Sequence, residues 1–163
     1  MIEWLTNTQY SEWVRASWGW PFALTIHAFG NAIVVGLIFI IGLRLFGLFQ
    51  TIPYTSLNKL VPYIWAGVVI QVYSGFTLWS GKPARYLSDG MFDVKFSLVL
   101  MGVVLTWFFH NTLKREAAAW EAAGAVSSRG VKLVAATALV WAAVLTTGRL
   151  TAYLGTLYAQ YAQ

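Results

Sequence analysis

The chain has 163 residues, of which 58% are hydrophobic and 10% charged, with a formal net charge of +5. Soluble domains carry about 25% charged residues, so 11 basic and 6 acidic side chains are too few to cover a water-facing surface of this size, and the composition belongs in lipid. The absence of cysteine excludes disulfides, thiolate metal sites, iron–sulfur clusters, cysteine nucleophiles and covalent c-type haem attachment.

Taken in chain order, residues 1–20 read as a short interfacial helix. Tyr10, Trp13, Val14 and Trp18 recur at helical spacing, with Glu12 and Arg15 on the other side. Glu3 and Glu12 precede any long apolar run, so this stretch reads as retained rather than as a cleavable signal. Pro21 suits the first turn of span 1, expected at about 21–49. The short connection QTIPYTS sends span 2 back beside it over about 57–80, with Pro62 in its first turns. GKPARYLSDGMFD reads as a loop holding one helical turn. Span 3 is expected at about 94–113, then a partly helical, alanine-rich connection, then span 4 at about 131–155. Trp, Tyr and Phe make up 17% of the chain, and many stand at the ends of these runs, as aromatic belts do.

The expected fold is therefore an all-α membrane protein, one domain over 1–163, folded as a four-transmembrane-helix up-down-up-down bundle. Long uninterrupted apolar runs exclude a β-barrel, and no internal repeat supports an inverted-repeat transporter. Arg44, Lys59, Lys114, Arg115, Arg129 and Lys132 fall on one side, against Arg15, Lys82, Arg85, Lys95 and Arg149 on the other. That bias puts both termini outside the cytoplasm, and the basic residues read as topology and headgroup contacts, not nucleic-acid binding.

No Asp or Glu falls within the expected spans, which argues against a carboxylate proton relay. His27, six residues after Pro21, is the leading candidate for chemistry. A neutral imidazole in an apolar bundle needs partners for both nitrogens: it is either a haem or metal ligand or a helix-packing hydrogen-bond group. His110 lies near the other end of span 3, where it reads as facing headgroups and the C-terminal helix dipole or as part of a second cofactor site. Counted from Pro21 and Val94, the two histidines differ by about ten residues, or roughly 15 Å of height, which disfavours one iron between them. Met101 matches His27 better in height, and His/Met ligation suits an electron-transfer haem, although a Met in an apolar helix is usually packing. Arg149, Gln71 and Tyr73 are expected at the depth of His27. Arg149 or Lys95 would face an anion such as a haem propionate, or Arg149 would snorkel. Arg44 is expected on the cytoplasmic side, near His110 and Asn111 or as a positive-inside anchor.

Several local patterns resemble an uncharacterised family of bacterial four-helix inner-membrane proteins. They are Trp4-Leu5, then Arg15, Ser17, Trp18, Pro21 and His27; Leu43 to Gly47; Pro62 to Gly67; Ser74-Gly75; Tyr86 with Phe92 and Lys95; and His110. This resemblance covers nearly the whole chain and implies a multi-pass protein of the bacterial inner membrane. A looser similarity to membrane cytochrome b subunits implies haem b.

The leading expectation is a membrane redox subunit that binds haem b near the outer face through His27. It would pass electrons between a quinone pool or partner subunit and an outer acceptor. The alternatives are a cofactor-free scaffold or accessory subunit, as partner subunit or homo-oligomer, and a small-molecule or ion carrier built on His27, Gln71, Tyr73 and Arg149. An independent enzyme is least favoured, because no nucleophile–base–acid order and no nucleotide-binding glycine loop is present.

Overall fold

A computed structural model describes residues 3–83, 86 and 90–161. Every element among them is helical: α1 (Glu3–Thr6), α2 (Gln9–Ala16), α3 (Gly19–Leu45), a 3-10 segment (Tyr54–Leu60), α4 (Val61–Gly81), α5 (Gly90–Ala123) and α6 (Ser128–Tyr161). Four helical stretches are long and apolar enough to cross a membrane: 19–45, 54–81, 90–123 and 128–150. Their boundaries depart from the expected ones for local reasons. Span 1 stops at Leu45, not 49, because Gly47 and Phe49 adopt positive φ (97° and 51°), and the Leu48 amide returns to the Leu43 carbonyl. Pro62 does lie in the first turn of α4, where its missing N–H costs nothing. Gly90 to Asp93, expected in a loop, open α5, while residues 84–85 and 87–89 lie outside the described residues. At its other end α5 runs ten residues past Leu113 through an alanine-rich stretch of high helix propensity.

The long helices pack in antiparallel registers that can be followed through their small residues. On α3 and α4, His27 meets Ser74, Gly30 faces Ile70 and Gln71, and Val34 lies on Gly67. On α5 and α6, Lys95 crosses Gly148, Gly102 faces Trp141, and Trp120 lies on Gly130. Gly42 of α3 faces Val134 of α6, so α3 and α6 are the inner pair, and α4 and α5 flank them. Val34, Ile38, Ile41, Ile64, Phe109, Leu113, Val134 and Trp141 form the buried centre. Trp141 Nε1 donates to Thr106 Oγ1 at 3.0 Å, while Thr106 donates to the Gly102 carbonyl, so the buried indole is satisfied.

Outward positions carry apolar side chains: Val69, Val72 and Phe76 on α4, Phe96, Leu100 and Val104 on α5, and Leu139 on α6 are exposed. Both the centre and the outside are therefore apolar, and a helix that is hydrophobic all round belongs in a large core or in lipid.

The N-terminal segment departs from a single interfacial helix. It forms α1 and α2, and α2 is fastened to the end of α4. Tyr10 pairs with Thr77 at 2.7 Å, Ser11 donates to the Ser80 carbonyl at 2.9 Å, and Val14 is fully buried against Gly19 and Gly81. Trp4, Trp13 and Trp18 stand exposed around this end.

Candidate functional site

Four buried polar residues of α4, Gln71, Ser74, Thr77 and Ser80, lie at the end where α3 begins and α4 finishes. His27 projects from α3 towards α4, where Gln71, Ser74 and Gly75 share one face at helical spacing. Gln71 is buried and donates from Nε2 to the His27 carbonyl at 3.2 Å. Ser74 Oγ stands 2.9 Å from His27 Nδ1 and 2.6 Å from the Ile70 carbonyl.

Those two distances favour one tautomer of a neutral imidazole. A serine hydroxyl has one hydrogen, and the Ile70 carbonyl can only accept it. Oγ must then accept from His27, so the neutral ring carries its proton on Nδ1 and holds a bare lone pair on Nε2. Among the described residues Nε2 has no hydrogen-bond partner. An added Cβ at Gly75 would meet only His27 within 4 Å, Cε1 at 3.6 Å and Nδ1 at 3.9 Å, so the imidazole lies directly against the bare α4 backbone there.

Lys95 completes the cluster from α5. Its side chain lies across Gly148, with Nζ 3.3 Å from where a Cβ would stand on α6. It is partly buried, and no acid pairs with it among the described residues.

The other expected site residues are distributed differently. Met101 is 46% exposed and turned roughly 100° from the face of α5 that carries Lys95 and Gly102, so the structure does not direct it towards His27. Arg149 follows Gly148, and is thus at the level of Lys95, but its side chain is exposed. Tyr73 is 63% exposed on the outer face of α4. Arg44 does not meet His110 or Asn111. It is buried and donates to the Ile52 carbonyl at 2.6 Å and the Gln50 carbonyl at 3.4 Å, with its guanidinium 3.8 Å above the Tyr54 ring. The carbonyls of the turn after α3 need a donor, and a planar guanidinium supplies several at once. Asn111 bonds back to the Trp107 carbonyl.

His110 is at the opposite end of the bundle from His27. Trp65 Nε1 approaches its Nδ1 at 3.4 Å, and since an indole can only donate, the neutral His110 ring carries its proton on Nε2. Nine residues of α4 separate Trp65 from Ser74, or roughly 14 Å along the helix, so the structure does not bring the two histidines together. No group of three His, Cys, Asp or Glu fit for a metal ion occurs among the described residues. Two surface recesses of about 450 Å³ each are present, one lined by Trp13, Trp18, Pro21, Phe22 and Thr25 and one between α5 and α6, and His27 lines neither.

Sequence reasoning missed Ser74 as the partner of His27, Gly148 as the bed of Lys95, and Trp65 as the partner of His110. Gln71, Ser74 and Gly75 at i, i+3 and i+4 in an otherwise apolar helix were the available signal for the first. Comparison with protein-family models, curated proteins and solved structures finds no match for this chain.

Proposed function

We propose that the chain is an integral membrane subunit of the bacterial inner membrane that binds haem b through His27 and serves in electron transfer. The four long helices cross up-down-up-down, with both termini outside the cytoplasm and the His27 cluster towards the outer face. The observation that carries this reading is that His27 Nδ1 lies 2.9 Å from a Ser74 hydroxyl that itself stands 2.6 Å from the Ile70 carbonyl. A ligating histidine offers one nitrogen's lone pair while its other N–H donates to a fixed acceptor, and Ser74 is such an acceptor.

The residues present fit the group. His27 offers Nε2, Gly75 gives the imidazole room against α4, and Lys95, which has no ion-pair partner among the described residues, is a cation for a propionate. When bound, haem supplies one-electron chemistry. The chain's own part is to hold the imidazole through Ser74, to keep Lys95 beside it, and to surround both with apolar side chains. One such group near one face does not carry electrons across a bilayer, so a partner subunit or quinone exchanges them.

The test is an absorption spectrum of the detergent-purified protein, oxidised and then dithionite-reduced, beside a His27→Ala variant. A Soret band and a reduced α-band that vanish in the variant are expected. Folded, colourless protein from haem-replete cells overturns the reading and leaves a cofactor-free accessory subunit.

A further inference from the structure

We propose that the recess between α5 and α6, at the end opposite His27, is a binding site for an anionic phospholipid of the cytoplasmic leaflet. The inference rests on the membrane-spanning part of the proposed function and is independent of haem. The recess, about 450 Å³, is lined by Phe108 of α5 and by Arg129, Lys132, Leu133 and Ala136 of α6. The four α6 positions are spaced i, i+3, i+4 and i+7, so they form one stripe. Along that stripe the cations come first and the apolar residues follow, over roughly 10 Å from Arg129 to Ala136. A charged mouth above an apolar floor matches a headgroup above the first part of its acyl chain.

Two further features ask for an anion at the mouth. Arg129 and Lys132 occupy the start of α6, whose first turn contains no acid, so both cations stand against the positive end of the helix dipole. The acids nearby are engaged elsewhere: Glu116 accepts from Ser127 at 2.6 Å and Trp120 at 3.2 Å, and Glu121 accepts from the Thr55 amide at 3.3 Å. Neither Arg129 nor Lys132 has an ion-pair or hydrogen-bond partner among the described residues. A free phosphate would satisfy the charge but leave Phe108, Leu133 and Ala136 facing water, whereas a phospholipid covers both parts. Basic recesses between helices on the cytoplasmic side are suited to such headgroups.

The experiment is native mass spectrometry of the full chain in detergent, titrated with phosphatidylglycerol and with phosphatidylcholine of the same acyl chains. Preferential binding of phosphatidylglycerol is expected. Arg129→Gln with Lys132→Gln should weaken it about 30-fold, from the attraction that each basic residue contributes near a lipid surface. Lys114→Gln with Arg115→Gln removes the same charge from the same end without touching the recess, and should leave the affinity nearly unchanged. Ala136→Trp, which fills the floor and keeps both cations, should also abolish the preference.

Equal binding of the two lipids by the native chain overturns the proposal, as does an equal loss in the Lys114/Arg115 control. Displacement of the lipid by millimolar inorganic phosphate overturns it in favour of a phosphate site. Carbonate extraction scores the spanning reading separately. A chain released by carbonate sinks that reading, while a chain that stays in the membrane pellet and shows no lipid preference sinks only this one.

Discussion

The indole of Trp65 donates to Nδ1 of His110, so the two histidines of the chain hold their protons on opposite nitrogens. His110 uses its Nδ1 lone pair to join α5 to the start of α4, and it is a packing residue. His110→Ala is therefore expected to leave any absorption spectrum unchanged and to lower stability by about 0.5–1.5 kcal/mol. Thermal unfolding in detergent, followed with the spectrum, checks both halves. A spectral change in this variant would move the candidate ligand away from His27.

Ser74→Ala removes the acceptor that orients His27 without touching the proposed ligand nitrogen. Haem should still bind, about 10–100-fold more weakly, with a shifted reduction potential, and Ser74→Thr should restore both. Potentiometric titration of the three proteins separates this outcome from a purely structural role, in which stability changes and the potential does not.

Gly67 and Gly36 make a matched pair. A Cβ at Gly67 would stand 2.8 Å from Val34 Cγ2 and 3.0 Å from Ile33 Cγ2, both on stiff β-branched side chains of α3, whereas a Cβ at Gly36 meets nothing within 4 Å. Gly67→Ala should cost about 1–3 kcal/mol, and Gly36→Ala should be neutral or stabilise by up to about 1 kcal/mol. Parallel denaturation curves of the two variants test the α3–α4 register directly.

Arg44 satisfies two turn carbonyls and stacks on Tyr54 while buried. Losing it leaves those carbonyls without donors, so Arg44→Ala should cost about 2–4 kcal/mol. Lysine has no planar fork with which to reach both carbonyls and the ring, so Arg44→Lys should recover less than half. Full recovery by lysine would reduce Arg44 to a simple positive-inside anchor.

The length of the apolar runs located the four long helices, because a stretch that must satisfy its own backbone in an apolar medium has few alternatives to a helix. Their ends were less legible. The left-handed residues after Leu45, the 3-10 segment before Val61 and the overrun of α5 depend on local turn geometry and on tertiary contacts such as Trp120 on Gly130. His27 stood out because an ionisable group in an apolar run is rare. Ser74 did not, because a hydroxyl in such a helix ordinarily bonds back to its own preceding turn, as Thr25, Thr106, Thr137 and Thr146 do here. The partners of Arg44 were not legible because charge alone distinguishes one end of a span from the other and not the carbonyls that the side chain serves.

The fastening of α2 to α4 also bears on the order in which the chain can assemble. Tyr10 and Ser11 find their partners 67 and 69 residues downstream, at Thr77 and Ser80. While the polypeptide is being made, α2 has only the start of α3 to pack on until the second long helix is complete. The α2 segment is thus locked late, and a ribosome stalled before Ser80 would leave Ser11 open to labelling that the finished fold resists.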